Sequence, residues 1–400
     1  MRVLTTPQVT QDKHFMRKHF MRKHSCINIS CINMDQMPTM GKNNRKGNKM
    51  EKKIQENHTA DSGNSASRLA AGKGSRMRMA ILGAGQIAHK MAATITKMEM
   101  VEAYAIAARD AKRAQSFAEQ YGFTKAYGSY EEMLSDKEVD LVYIATPHSH
   151  HYEHIRLCLA HQKHVLCEKS FTVNARQARE VLQMAEEKGL LLTEAIWTRY
   201  MPSRKMVNDI IDSGVIGKAA SLTGNLGYAL KSVTRMVEPS LAGGALLDVG
   251  VYMVNFAMMV FGNKISKVTS SVVMSEKGVD YSDSITMIFE GGEMAVMHSS
   301  MLGALNRRAS IFGEKGYIEI TNVNNIEHIR VFDENYRELA DYTPPEQITG
   351  YEYEVEACRR AIQEGRTQCS EMPHEETIRV LEIMDDMRRS WGYQIPGENQ

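Results

Sequence analysis

The residues best able to do chemistry sit at the ends of short apolar runs. Pro147, His148, His151, Glu168, Lys169 and Glu194 each follow a stretch that reads as a strand. In open parallel sheets, ligands lie beyond the carboxyl ends of the strands. Upstream, Gly83-Ala84-Gly85-Gln86-Ile87-Ala88 follows the run MRMAIL at 77–82. Gly83 allows a tight turn, Gly85 lets the backbone approach a pyrophosphate on a helix N-terminus, and Ala88 stands where a third glycine is usual. Downstream, Asp248 and Tyr252 are four residues apart in an apolar segment, which places both on one face of a helix. The histidines 148, 150, 151 and 154 invite a metal reading, since His150 and His154 are spaced i, i+4. No carboxylate or thiolate at ligand spacing completes that set, so no metal is expected. His148 or His151 is expected beside a bound cofactor instead.

The elements that must position these groups alternate. Strands are predicted over 77–82, 101–108, 140–146, 163–167 and 190–195, with a helical pattern after Ala88 through 98 and helices over 111–121, 130–134, 149–160 and 174–188. Near-continuous apolar strands alternating with helices predict a parallel, doubly wound α/β sheet. After the second strand, the position where an acidic residue would grip a ribose 2′-hydroxyl is Ala108. Arg109 and Arg113 follow on one helix face and could bracket a 2′-phosphate, which predicts NADP rather than NAD.

From 204 onward the pattern changes. A helix over 204–213 leads into strands over 220–226, 266–274, 284–289, 294–300, 308–312, 317–320 and 329–332, interrupted by a helix over 243–261. Strands in a run predict an α+β region with a large, mostly antiparallel sheet. One sheet face must cover the helix carrying Asp248 and Tyr252. The other, rich in Thr, Ser, Val and Met, suits a second sheet packed against it. Helices over 351–364 and 375–390 close the chain.

Charge divides the chain differently. Overall it holds 49 Lys and Arg against 48 Asp and Glu, so net charge argues for neither nucleic acid nor an anionic membrane surface. Residues 1–76 nevertheless carry fifteen basic against five acidic residues, and 77–400 carry 34 against 43. This leader contains the echo HFMRKHFMRKH and Lys/Asn/Gly-rich and Ser/Ala/Gly-rich stretches, and is expected to be a flexible extension without a catalytic role. A mitochondrial-type presequence is an alternative; metal binding by His14, His19, His24 and Cys26 is disfavoured because their spacing follows the echo. No uninterrupted apolar run approaches a membrane span, and six scattered cysteines suit a reducing, cytoplasmic setting.

GAGQIA, ATPHSHHYEH, HVLCEKS and GGALLDVGVY occur in the order and at the spacing of the glucose–fructose oxidoreductase and inositol dehydrogenase (Gfo/Idh/MocA) family, which the chain resembles over about 77–390. EAIWTRYMP and DVGVY most resemble its dimeric dihydrodiol dehydrogenase and NADP-dependent xylose dehydrogenase branch. The resemblance implies a Rossmann NAD(P)-binding domain at 77–198, an α+β substrate and dimerisation domain at 199–400, and a homodimer formed through the open sheet face. It implies cofactor contacts from Gly83, Gly85, Gln86, Ile87, Ala88, Arg109, Arg113, Thr146, Pro147, His148, His151, Glu168 and Lys169. Catalysis falls to Lys169, Tyr252 and Asp248, and contact with a sugar, polyol or cyclic diol to Trp197, Arg199, Asp248 and Tyr252. Ser170 departs from the family's Glu-Lys-Pro motif, and Tyr252 replaces the histidine common elsewhere in the family.

Residue types support those roles. Oxidising an alcohol needs a base for the hydroxyl proton and a positive charge to stabilise alkoxide character. Tyr252 serves as base only if its pKa, normally about 10, is lowered, for which a close Lys169 ammonium has the right sign. Asp248 would orient Lys169 or accept a substrate hydroxyl. The sequence therefore predicts an NADP-dependent oxidoreductase acting on CH–OH groups; the opposing reading is a non-catalytic NAD(P)-binding regulatory protein or redox sensor.

Overall fold

The computed structural model describes residues 76–398; the leader up to residue 75, with its histidine echo, lies outside them. Six strands form the first sheet: β1 (Met77–Leu82), β2 (Val101–Ala107), β3 (Lys125–Tyr127), β4 (Leu141–Ile144), β5 (His164–Glu168) and β6 (Leu192–Ala195). Their order is β3-β2-β1-β4-β5-β6, and all are parallel. The direction of winding reverses between β1 and β4, which opens a crevice at the strands' carboxyl ends. The helices between them are α1 (Gln86–Ile95), α2 (Ala111–Tyr121), α3 (Tyr130–Ser135), α4 (His151–Ala160) and α5 (Ala175–Lys188). Side chains of Asp110, Ser129 and Asn174 cap α2, α3 and α5 by accepting backbone N–H groups of the first turn. β3 escapes the sequence reading because its three edge residues are one exposed and two half-buried, with no apolar alternation.

After α6 (Pro202–Asp212) come β7 (Ala219–Gly227), α7 (Val251–Phe261), β8 (Ile265–Met274), β9 (Asp280–Phe289), β10 (Met294–Ser300), β11 (Arg308–Gly313), β12 (Gly316–Thr321), β13 (His328–Asp333) and β14 (Glu338–Tyr342). They build one eight-stranded sheet, β14-β13-β12-β11-β7-β10-β9-β8, antiparallel except for β7 beside β10. Its inner face buries Leu222, Ile285, Met287, Ala295, Met297, Ile311 and Ile318, with α7 packed on β7 and β10. The outer face exposes Met294, Val296 and Phe312 beside polar residues. β14 (ELADY) carries no apolar stripe, so sequence pattern alone leaves it unmarked.

The predicted helix over 243–261 is not uniform. Leu246–Gly250 forms a π-helical turn that runs into α7. Close packing against β9 and β10 accompanies this irregularity. The buried Asp280 carboxylate accepts the N–H of Leu246 at 2.6 Å, and a Cβ on Gly244 (φ +124°) would fall 2.1 Å from Asp280 Oδ1. Only glycine fits there. Burial pushes the Asp280 carboxyl up to about 7. The longer helical stretch Pro239–Phe261 is apolar enough to cross a membrane by length and composition, but it is mostly buried in the core.

The closing helices α8 (Glu352–Gln363) and α9 (His374–Ser390) return to the first sheet. α9 packs on α5, His374 Nε2 lies 2.9 Å from the Leu192 carbonyl, and Arg388 donates to the Val173 carbonyl at 3.0 Å. Cys158, Cys167, Cys358 and Cys369 are buried free thiols.

Candidate active site

The glycine turn meets the geometric demands of a phosphate site. Gly83 has φ +101°, and a Cβ there would lie 2.9 Å from Thr146 Cγ2 and 3.1 Å from the Ala145 carbonyl oxygen. α1 starts at Gly85 with no side-chain cap and no acidic residue in its first turn, so its first N–H groups are left for a ligand anion. Ala88 is fully buried, as close helix–sheet packing requires. Arg113 donates to the Ala84 carbonyl and so stands beside the turn. Arg109 is exposed at the end of β2; its charge, with that of Arg113, is felt by the Tyr130 phenol, and it also helps keep the His150 and His154 imidazoles neutral after burial has done most of that work. These residues make a basic corner at one end of the crevice.

A cleft of about 910 Å³ runs from Gly85, Gln86 and Ile87 past Thr146, Pro147 and His148 to the second sheet. Glu168, Lys169, Trp197, Arg235, Asp248 and Tyr252 also line it. Lys169 Nζ donates to the Asp248 carbonyl at 2.6 Å and to Asp248 Oδ1 at 3.0 Å. Arg235 Nη1 donates to the same Oδ1 at 2.9 Å. Burial opposes ionisation of Asp248, but Lys169 and Arg235 together outweigh it and hold the carboxyl well below the usual carboxylate range. His148 sits 3.7 Å from Asp248 Oδ1, while burial pushes its imidazole down to about 3. It is therefore neutral, with the proton on Nδ1, which faces the Ala242 carbonyl at 3.0 Å.

Tyr252 presents its ring to Lys169, with Nζ 5.0 Å from the centroid. The expected lowering of its pKa is not found. Burial, joined by Tyr351, Glu168, Asp248 and Glu354, pushes the phenol well above its ordinary value. The lysine lies over the ring and its N–H bonds go to Asp248, so it does not offset the cost of a buried phenolate.

The lysine's backbone is held from several sides. Tyr143 donates to Glu168 Oε1, Lys169 N–H donates to Glu168 Oε2 at 3.2 Å, and burial raises the Glu168 carboxyl. The Lys169–Ser170 peptide is cis. Ser170 Oγ donates to the Leu247 carbonyl at 3.0 Å, tying β5 to the π-helical turn. His151 is fully buried, its ring nitrogens 2.8 Å from the Thr146 and Ser170 carbonyls; it spans two loop ends and does not line the cleft.

Trp197 stacks on Tyr351, with centroids 4.4 Å apart and planes 9° from parallel, and both line the cleft. Arg199 does not reach it. Arg199 is buried, donating to Asn255 Oδ1 at 2.5 Å and Glu376 Oε2 at 2.9 Å, and so ties α7 to α9. Sequence reasoning missed Arg235, Tyr228, Arg307 and the asparagines at 322, 324 and 325, which also line the cleft. The Asn-Val-Asn-Asn run was the available signal for a loop there. Among the described residues, no group of three or more His, Cys, Asp or Glu could hold a metal.

A parallel sheet with a glycine turn at its switch point, feeding a lysine toward an aspartate and a tyrosine from a second sheet, defines a two-sheet nucleotide-binding oxidoreductase. The chain belongs to the Gfo/Idh/MocA family: the model for the oxidoreductase family's NAD-binding Rossmann fold matches residues 77–196, and that for the Gfo/Idh/MocA C-terminal domain matches 205–319. It is 32% identical over 336 residues to a trans-1,2-dihydrobenzene-1,2-diol dehydrogenase of Danio rerio, covering 81% of this chain and 99% of the relative. The Homo sapiens protein of the same name is also 32% identical, over 332 residues covering 81% and 99%. A 3-ketoreductase from Actinomadura kijaniata, solved with TDP-benzene and NADP, is 25% identical with a TM-score of 0.70, covering 78% of this chain and 97% of that one. An aldose–aldose oxidoreductase from Caulobacter crescentus, 20% identical with a TM-score of 0.72 over 79% and 97%, shares the fold.

Proposed function

We propose that this chain is an NADP-dependent dehydrogenase or reductase that interconverts a hydroxyl and a carbonyl on a sugar, polyol or cyclic diol, with Tyr252 as general acid/base and Lys169 assisting. The observation that carries the reading is the convergence of Lys169, Asp248 and Tyr252 on one cleft that also contains the glycine turn. The open N-terminus of α1 and the missing Cβ at Gly83 suit a pyrophosphate, and Arg109 with Arg113 suits a 2′-phosphate. The relatives' names as diol dehydrogenases, and the NADP held by the Actinomadura enzyme, point the same way.

The nicotinamide, when bound, supplies or accepts the hydride. This chain's own groups handle the proton and the charge. Lys169, oriented by Asp248, offers a positive charge to the substrate oxygen as it becomes alkoxide-like. Arg235 shares the aspartate and keeps it ionised, so Asp248 remains an acceptor for a substrate hydroxyl. A phenol held above its ordinary pKa stays protonated at neutral pH, which suits Tyr252 to donating a proton to a forming alcohol. Trp197 and Tyr351 offer an apolar face for a ring.

We read the chain as a Rossmann domain at 77–198 and a substrate domain at 199–400. The outer sheet face, with Met294, Val296 and Phe312 exposed, is read as a homodimer surface, and the buried free thiols suit the cytoplasm. The test is a screen of NADP and NAD against pentoses, hexoses, inositols and diols, followed by absorbance of the reduced cofactor. Turnover with at least one compound, faster with NADP, is the expected result; tight NADPH binding without turnover on the whole panel would favour a regulatory protein.

A further inference from the structure

We infer that the end of the cleft formed by the second sheet is a subsite for an anionic group of the substrate, a carboxylate or a phosphate, read by the guanidinium of Arg307. This deepens the dehydrogenase reading and rests on it for the position of the reacting carbon.

Arg307 lines the same cleft as Lys169 and Tyr252, together with Tyr228, Asn322, Asn324 and Asn325. Its guanidinium sits over the Tyr228 ring, 5.9 Å from the centroid. It has no ion pair among the described residues, so the ring positions a cation whose N–H donors remain available. The neighbouring amides are oriented in a compatible sense. Asn324 Oδ1 accepts from the Tyr228 hydroxyl at 3.2 Å, and Asn325 Oδ1 accepts from Gln347 Nε2 at 2.8 Å. With both oxygens engaged, Asn324 and Asn325 each have an NH₂ left to donate; Asn322 instead gives its NH₂ to Glu327 Oε1 at 2.8 Å, and its own oxygen is buried with no hydrogen-bond partner among the described residues. In this wall of the cleft, the Arg307 guanidinium and the amide donors of Asn324 and Asn325 favour a group that only accepts, and a planar guanidinium matches carboxylate or phosphate oxygens.

Charge along the cleft favours the same class. Lys90, Lys169, Arg235 and Arg307 line it, against Glu168 and Asp248. Asp248 is already shared by Lys169 and Arg235, and burial raises the Glu168 carboxyl. Among the described residues nothing acidic is paired with Arg307 at the other end, where Glu327 is bonded to Asn322. The substrate this wall fits carries its reacting hydroxyl toward Tyr252 and an acidic group farther along: an acidic sugar or a sugar phosphate.

Calorimetric titration of the NADPH-loaded protein with glucose, glucuronate and glucose 6-phosphate tests this without requiring turnover. One of the two anions should bind at least about tenfold tighter than glucose, and which one does so identifies carboxylate or phosphate. Rising salt should weaken that ligand and leave glucose little affected. In Arg307→Ala the preference over glucose should collapse toward unity, and Arg307→Lys should restore part of it. Equal affinity for all three probes, no detectable binding of either anion, or equal weakening of all three in Arg307→Ala would overturn the inference. A retained anion preference without hydride transfer to any compound would instead remove the dehydrogenase reading and leave the subsite standing.

Discussion

The two ends of the cleft treat charge in opposite ways. At the inner end every charged side chain is engaged: Lys169 and Arg235 both donate to Asp248, and His148 is neutral and bonded to a backbone carbonyl. At the outer end Arg307 lies over an aromatic ring and has no ion pair among the described residues. The inner end resembles a preorganised catalytic centre, in which dipoles are fixed before the substrate arrives. The outer end resembles a recognition surface, in which donors wait for a partner. A paired cluster resists a change of substrate, whereas an unpaired wall decides which substrate enters.

The largest effect expected from perturbing the inner end is that of Lys169→Ala. It removes the charge beside the reacting oxygen and should lower kcat by about 10³-fold, measured by single-turnover absorbance with the best compound of the screen. A loss confined to KM would move Lys169 to the recognition side of the comparison. Tyr252→Phe should lower kcat by about 10²-fold or more with NADPH affinity within about twofold; equal loss of both would contradict the acid/base role. Gly244→Ala probes how tightly the inner end is packed. A Cβ 2.1 Å from Asp280 Oδ1 forces the π-helical turn to shift, and a cost of about 2–3 kcal/mol should appear as a lower midpoint in urea unfolding. Wild-type stability would show that this turn yields more easily than its packing implies.

Farther from the chemistry, Arg113→Ala should raise the Kd for NADPH about tenfold and change that for NADH little, read by fluorescence titration. Unchanged NADPH affinity would remove the basic corner from the cofactor site. The smallest change is expected in the pH profile of reduction. A phenol held above its ordinary pKa is protonated throughout neutral pH, so reductive kcat should stay nearly flat from about pH 6 to 9. Oxidation needs the deprotonated form and should rise with pH across that window. A reductive rate that falls steeply near pH 7 would mean that another group, or a phenol with a lowered pKa, donates the proton.

Much of the inner end was legible in the sequence, and little of the outer end. The glycine turn announced itself through spacing; Lys169, at a strand end, and Asp248 with Tyr252, on one helix face, were picked out by the motifs that carry the family resemblance. Arg199 was misplaced because an arginine next to an aromatic motif carries no sign of which way it points. The structure turns it toward Asn255 and Glu376, away from the cleft. Tyr252 was found, but its pKa direction was not, since that depends on burial and on Tyr351, Glu168 and Glu354, which come from distant parts of the chain.

The sequence alone determined the alternation of strands and helices, the glycine turn and the switch to a run of strands, because local periodicity and spacing are written along the chain; the lysine, aspartate and tyrosine were singled out through the family resemblance. Tertiary structure decided that Lys169 meets Asp248 across 79 positions, that Arg235 joins them, that α9 returns to the first sheet, and that Arg307 has no acidic partner among the described residues. Pairing of charges and loss of solvent depend on which distant surfaces come together, and no local pattern encodes that.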